Sequence, residues 1–241
     1  VRDMSNVALG NLFAGYRDVS KKILQRLIDE FVDGTGSTID SSVVRPKSEV
    51  ELDQNGILLY AIWQYWVWTD EKEIITKNWN KIKALAEFPL DEYFWDKNSK
   101  LLKNTREYWE RHSAHGVTEG YELTYQIFPV LGLEKASEMA EELGENELAK
   151  RWKSVSKEIW NSFLNSQKYA MIEDGKLIKR RKSDGSWHKT FEPPDRSLLP
   201  DGTPLREEYY NPIDPDTSVA LPIAFKMIDP KSNLSKRTLE S

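Results

Sequence analysis

The sequence predicts an all-α protein whose helical hairpins form a toroid. Two observations carry that prediction. Helices that are apolar on nearly every side alternate along the chain with helices that carry a single apolar stripe, and the alternation occurs three times, with turn residues between its members. Two concentric rings of helices need this arrangement, because an inner helix touches neighbours on both sides while an outer helix keeps one wet face. An ordinary helical bundle or a solenoid would use similar helices. The lack of a fixed short repeat counts against the solenoid.

Taken in order, Val7, Leu9, Leu12 and Phe13 mark a first apolar segment, and Gly15 suits its C-terminal cap. Val19, Ile23, Leu24, Leu27, Ile28 and Phe31 then fall on one stripe, with Lys21, Lys22, Arg26 and Asp29 opposite, and Gly34 and Gly36 end the helix. Residues 35–47 read as a polar loop. Residues 52–68 are apolar almost throughout and predict a helix buried all round. Asp70 followed by Glu73 resembles a capping box, opening an amphipathic helix through Ile74, Ile75, Trp79, Ile82 and Leu85 that Pro89 ends. Residues 117–131 make the third apolar helix. Amphipathic stripes follow over 134–143 and 148–163, ended by Gly144 and Asn165.

From Tyr169 the pattern changes. Asp174-Gly175 predicts a two-residue β-hairpin, and Asp184-Gly185, Pro193-Pro194 and Asp201-Gly202 mark a long loop excursion, so that a β-hairpin and loop insertion is expected around residues 169–215. Helical character returns over 218–227 and stops at Asp229-Pro230. Residues 236–241 look like the start of a further helix.

Composition narrows the function classes. A net charge of −5 lacks the basic face of a nucleic-acid binder, and no apolar run approaches the length of a membrane span. With no cysteine, disulfides, thiol catalysis and cysteine-ligated metals are excluded. That composition fits a reducing compartment such as the cytoplasm, or a hot habitat. The nine Trp and ten Tyr fill a large core or form platforms on which sugar rings stack.

No glycine-rich phosphate loop, H-E-x-x-H or G-x-S-x-G is present, and no cofactor is expected. His112 and His115 lie three apart beside Glu110 and Glu119, but ordinary loop histidines explain them better than a metal site. Carboxylates are therefore the best-stocked source of acid–base chemistry. Asp3 and Asp53 each stand at the N-terminal edge of an apolar helix, where the helix dipole favours them and where they could equally act as caps. Arg2, beside Asp3, adds a rigid donor fork suited to vicinal hydroxyls. The stretch 104–116 crowds acids, bases and aromatics together. Within it, Glu110 follows Trp109, and an apolar wall raises a carboxyl pKa as a general acid requires.

These residues carry a resemblance. V-R-D-M-S-N from Val1 resembles the W-x-R-D motif of the glucoamylase family, glycoside hydrolase family 15. Arg45 onward, R-P-K-S-E-V-E-L-D-Q-N-G, is similar to its Q-L-D-x-x-G stretch, and Y-W-E-R from Tyr108 resembles its W-E motif. D-T-S-V-A-L-P from Asp216 looks like D-A-S-L-L-x-L-P. The resemblance implies an (α/α)6 barrel, here part of one catalytic domain truncated at both ends, and an inverting, exo-acting hydrolase of α-glucosidic oligosaccharides or polysaccharides. It implies that Arg2 and Asp3 hold sugar hydroxyls, that Trp109 walls the site, and that Glu110 protonates the leaving oxygen; Asp53, at the same end, is expected to bind substrate as well. The family's general base, a second Glu from a later hairpin, is expected beyond Ser241. A trehalase, a debranching-type glucosidase and a non-catalytic carbohydrate-binding or scaffold protein on the same barrel are the rival expectations.

Overall fold

The computed structural model describes residues 1–39, 45–109, 116–192, 197, 213–214 and 216–241. It is an all-α fold made of stacked helical hairpins. The first pairs α1 (Arg2–Phe13) with α2 (Arg17–Glu30). The second pairs α3 (Asp53–Thr69) with α4 (Glu73–Lys77) and α5 (Trp79–Glu87), and the third pairs α6 (Thr124–Glu142) with α7 (Asn146–Asn165). Inner helices α1, α3 and α6 pack side by side, and each outer helix lies against its own hairpin partner, with α2 and α5 also reaching the next inner helix. The predicted alternation holds for α3 and α6, which are buried over most of their length beside half-exposed α5 and α7; α1 departs from it, with only Ser5, Ala8, Leu9 and Leu12 buried and Met4, Val7 and Phe13 exposed.

Glycine makes the inner ring tight. A Cβ on Gly56 of α3 would sit 1.9 Å from the Phe128 carbonyl oxygen of α6, and one on Gly132 of α6 would sit 2.6 Å from the Gly56 Cα. Two helix backbones touch here, which only residues without a side chain permit. Outer elements are tied in by buried amides. Asn55 donates to the carbonyls of Gly36 and Leu85 at 2.8 and 3.0 Å, fastening the 33–38 turn and the end of α5 to α3. Gln126 of α6 exchanges two hydrogen bonds of 2.8 Å with the backbone of Leu102.

Short strands decorate one end. β1 (Trp95–Asp96) pairs with β2 (Leu101–Leu102), and β4 (Ile172–Glu173) with β5 (Lys176–Leu177). Asp174 and Gly175 both adopt positive φ, 49° and 74°, as the predicted hairpin turn requires. β3 (Gly120–Glu122) runs antiparallel to β6 (Arg180–Lys182), with Glu122 opposite Arg180. Over 169–192 the described chain carries the predicted hairpin and one further strand; Pro193-Pro194 and Asp201-Gly202 lie outside the described residues. A 3-10 turn over Thr217–Ala220 leads into α8 (Leu221–Ala224), and α9 (Asn233–Leu239) follows.

Several local expectations yield to packing. The third inner helix starts at Thr124 rather than 117, and 134–143 continues it instead of starting an outer helix. Asp70 does not open a capping box: it takes a left-handed conformation, φ 59°, and caps the C-terminus of α3. The helix after it breaks at Asn78, whose side chain donates back to the Ile74 carbonyl at 2.8 Å. α3 is buried over its first two-thirds, but Val67 and Trp68 emerge at its end. Among the described residues no helix is long and apolar enough to cross a membrane.

The two kinds of helical glycine should respond oppositely to a methyl group. Gly56→Ala drives a Cβ into backbone and should cost about 3 kcal/mol. Gly10→Ala, mid-helix in α1 and facing open space, should add up to about 1 kcal/mol. Urea denaturation of both variants checks this, and similar small effects would contradict the close α3–α6 contact.

Candidate active site

The N-terminal ends of the inner helices meet in a polar cluster. Arg2, in the first turn of α1, donates from Nε to Asp53 Oδ2 at 2.6 Å and from one terminal nitrogen to Asp53 Oδ1 at 3.1 Å. The same terminal nitrogen reaches Glu51 Oε2 at 2.9 Å. Glu51 also accepts from Arg106 Nε at 2.8 Å and from Gln54 at 2.6 Å. Burial alone would lower the Arg2 pKa, but Asp53 and Glu51 overcome it and hold the guanidinium charged. Burial pushes the Glu51 carboxyl up, against the two arginines.

The segment before α6 closes over this pair. The Tyr108 ring lies 4.2 Å from the Arg2 guanidinium carbon and packs edge-on against Trp109 at 4.9 Å. Burial raises the Tyr108 hydroxyl pKa against the opposing charge of Arg2, and the carboxylates of Asp53, Asp3 and Glu51 add to the rise; Asp3, next to Arg2 in the first turn of α1, is exposed. Trp109 keeps 45% of its surface open, and its indole N–H donates to Asp216 Oδ2 at 2.9 Å.

Behind these residues lies a second set of buried charges. Lys179 Nζ meets Glu107 Oε2 at 2.6 Å and Asp216 Oδ2 at 3.1 Å. Burial works against its charge, yet Glu122, Glu107 and Asp216 raise its pKa. Burial acts on Asp216 as well, but Lys179 and the Ser218 hydrogen bonds hold it below the usual carboxylate range. Glu122 faces Arg180 at 3.2 Å and is wholly enclosed. Its carboxyl is raised to about 7 by burial, which Lys179 and Arg180 only partly offset.

Of the residues singled out from sequence, Arg2, Asp3, Asp53 and Trp109 come together at this end. Their surroundings differ. Trp109 and Asp3 are open to solvent, Arg2 is nearly covered, and Asp53 has no exposed surface, its carboxylate being spent on Arg2. Glu110, His112 and His115 lie outside the described residues. His188 is buried, edge-on to Phe191. Among the described residues no group of three or more His, Cys, Asp or Glu is arranged to hold a metal ion.

Sequence reasoning missed Glu51, Arg106, Glu107, Glu122, Lys179 and Arg180. Arg106 and Glu107 lie inside the crowded stretch 104–116, while Lys179 and Arg180 sit in the run K-R-R-K at 179–182, which reads as a solvated charged stretch. Its one legible signal is position: it directly follows the apolar Leu177-Ile178. Glu51 alternates with Val50 and Leu52, a weaker hint.

Comparisons with known proteins bear on this arrangement. The model of the bacterial alpha-L-rhamnosidase 6 hairpin glycosidase domain matches residues 5–239. Trehalase 2 of Sulfolobus acidocaldarius is 26% identical over 118 residues, which cover 49% of this chain and 18% of that relative.

Glu122 should leave a pH signature in stability. A carboxyl raised from 4.5 to about 7 binds its proton more tightly in the folded state. The stability this confers is full below the unfolded value and is lost as pH rises through about 7. Glu122→Gln keeps a neutral group there, so its stability relative to the parent should climb between pH 4.5 and 7 and level off above. Denaturant midpoints across that range test this, and a pH-independent difference would remove Glu122 as the titrating group.

Proposed function

The chain belongs to this six-hairpin glycosidase family, and from that premise we propose that it supplies the proton-donating and sugar-holding part of an inverting glycoside hydrolase acting on α-glucosides. The observation that carries the reading is the meeting of Arg2, Asp53 and Tyr108 beneath a half-open Trp109. A half-exposed indole beside an aligned arginine is suited to a sugar ring, stacking on its C–H face while polar groups take its hydroxyls.

In this reading Glu110 is the general acid. It follows Trp109 in the chain, and an apolar wall beside a carboxyl group favours its protonated form, as a general acid requires. Glu110 gives its proton to the leaving glycosidic oxygen as the anomeric bond breaks. A second carboxylate takes a proton from water on the opposite face of the ring, which for inversion stands about 6.5–9.5 Å from the first. Arg2 and Asp3 hold sugar hydroxyls. Asp53, enclosed, acts by aligning Arg2 rather than by touching sugar. Asp216 fixes the indole plane.

Similarity to a trehalase and the Y-W-E-R motif support an α-glucoside, either trehalose or a malto-oligosaccharide. A second reading, an α-L-rhamnoside, is favoured by the family match along nearly the whole chain. Aryl α-glucosides, maltotriose, trehalose and aryl α-L-rhamnosides, offered to the full-length protein, separate these readings by which is cleaved. Glu110→Gln should abolish turnover on that substrate while leaving its binding nearly intact. A variant with near-parental kcat would end the assignment of Glu110, and a product first released with retained anomeric configuration would end inversion.

A further inference from the structure

The stretch that bears Trp109 leaves and rejoins the fold at one point, where a buried arginine ties its two ends. Asn104 and Gly120 exchange two backbone hydrogen bonds of 3.0 and 3.1 Å, so residues 105–119 leave and return at one point. Arg180 lies fully buried at that point. One of its terminal nitrogens donates to the Asn104 and Thr118 carbonyls at 2.6 and 2.8 Å. The other donates to the Arg106 carbonyl at 3.1 Å and to Glu122 at 3.2 Å. Three of its four acceptors are therefore carbonyls of the two arms of one loop, and the fourth sits on the strand that carries Arg180's own pairing partner.

The geometry points to Arg180 as the positioning residue of the catalytic loop: it fixes the two arms at 104–106 and 118, and with the first of them Trp109. This rests on the proposed role of Glu110. Arg180 touches no reacting atom. Its planar fork reaches separated acceptors in fixed directions, which the single ammonium of a lysine cannot do. The neighbouring arginine provides a matched comparison. Arg181 is also buried and also densely engaged, donating to the carbonyls of Ala170, Ile172 and Gly185 and to Glu173. None of those acceptors belongs to the loop.

Arg180→Lys and Arg181→Lys keep the buried charge and lose the fork, so both should lower thermal stability. Only Arg180→Lys should lower kcat in the full-length protein, by about 100-fold for a displacement of roughly 1 Å, with KM changing far less. It should also shift the basic limb of the pH–rate profile, which reports the general acid. Amide hydrogen exchange should quicken around 104–118 in Arg180→Lys and around 170–185 in Arg181→Lys. If Arg180→Lys keeps parental kcat and basic limb, or if Arg181→Lys loses kcat equally, the assignment falls. Should the parent cleave none of the offered glycosides, the functional reading fails instead, and amide exchange alone decides the clamp: unchanged exchange around 104–118 in Arg180→Lys overturns it.

Discussion

The end of the molecule that collects the candidate site depends on one paired charge, Arg2 against Asp53. Arg2 stands in the first turn of α1, where the helix dipole disfavours a cation, and Asp53 opens α3, where it favours an anion. Their bidentate contact joins two inner helices across 51 residues of sequence. Neither group could be enclosed alone, since a buried charge without a partner costs several kcal/mol. Glu51 and Arg106 extend the pairing from α3 to the segment below Tyr108. The charges thereby fix the mutual depth of the helices that the apolar contacts leave free to slide.

β6 and the residue before it solve a related problem. Three consecutive bases, Lys179, Arg180 and Arg181, are all buried, and an extended strand sends successive side chains to opposite faces. Lys179 consequently meets Glu107 and Asp216, Arg180 enters the loop neck, and Arg181 returns to the β4–β5 hairpin. Each base finds a carboxylate, and the two arginines also find backbone carbonyls. The aromatic pair Tyr108–Trp109 rests on this framework, held from below by Arg2 and from the side by Asp216. Groups aligned before substrate arrives need little reorganisation during reaction, which is how electrostatic catalysis gains its efficiency.

Much of the fold was legible because its signals are local. The stripe on α2, the all-round apolarity of α3 and the Asp174-Gly175 turn each depend on residues a few positions apart. The misread boundaries have distant causes. Gly120–Glu122 leaves the helical pattern because β6 offers it a ladder of hydrogen bonds, and Gly120 is required there since a Cβ would meet the Arg181 carbonyl oxygen at 2.1 Å. Asp70 caps the helix behind it rather than the one ahead. Of the site, Arg2, Asp3, Asp53 and Trp109 could be picked out by residue type and place, but whether each faces sugar or another side chain could not.

The sequence by itself determined that α3 and α6 are buried beside half-buried partners, since that follows from which side chains are apolar and at what period. It also determined that carboxylates are the best-stocked source of acid–base groups, given no cysteine and few histidines. Only the tertiary structure decided that Asp53 is enclosed and serves Arg2, that a run of bases lies inside the molecule, and that Arg180 closes the neck of the loop carrying Trp109. Those facts rest on pairings between residues dozens of positions apart. The cost of leaving a buried charge unpaired enforces them, and no local pattern records it.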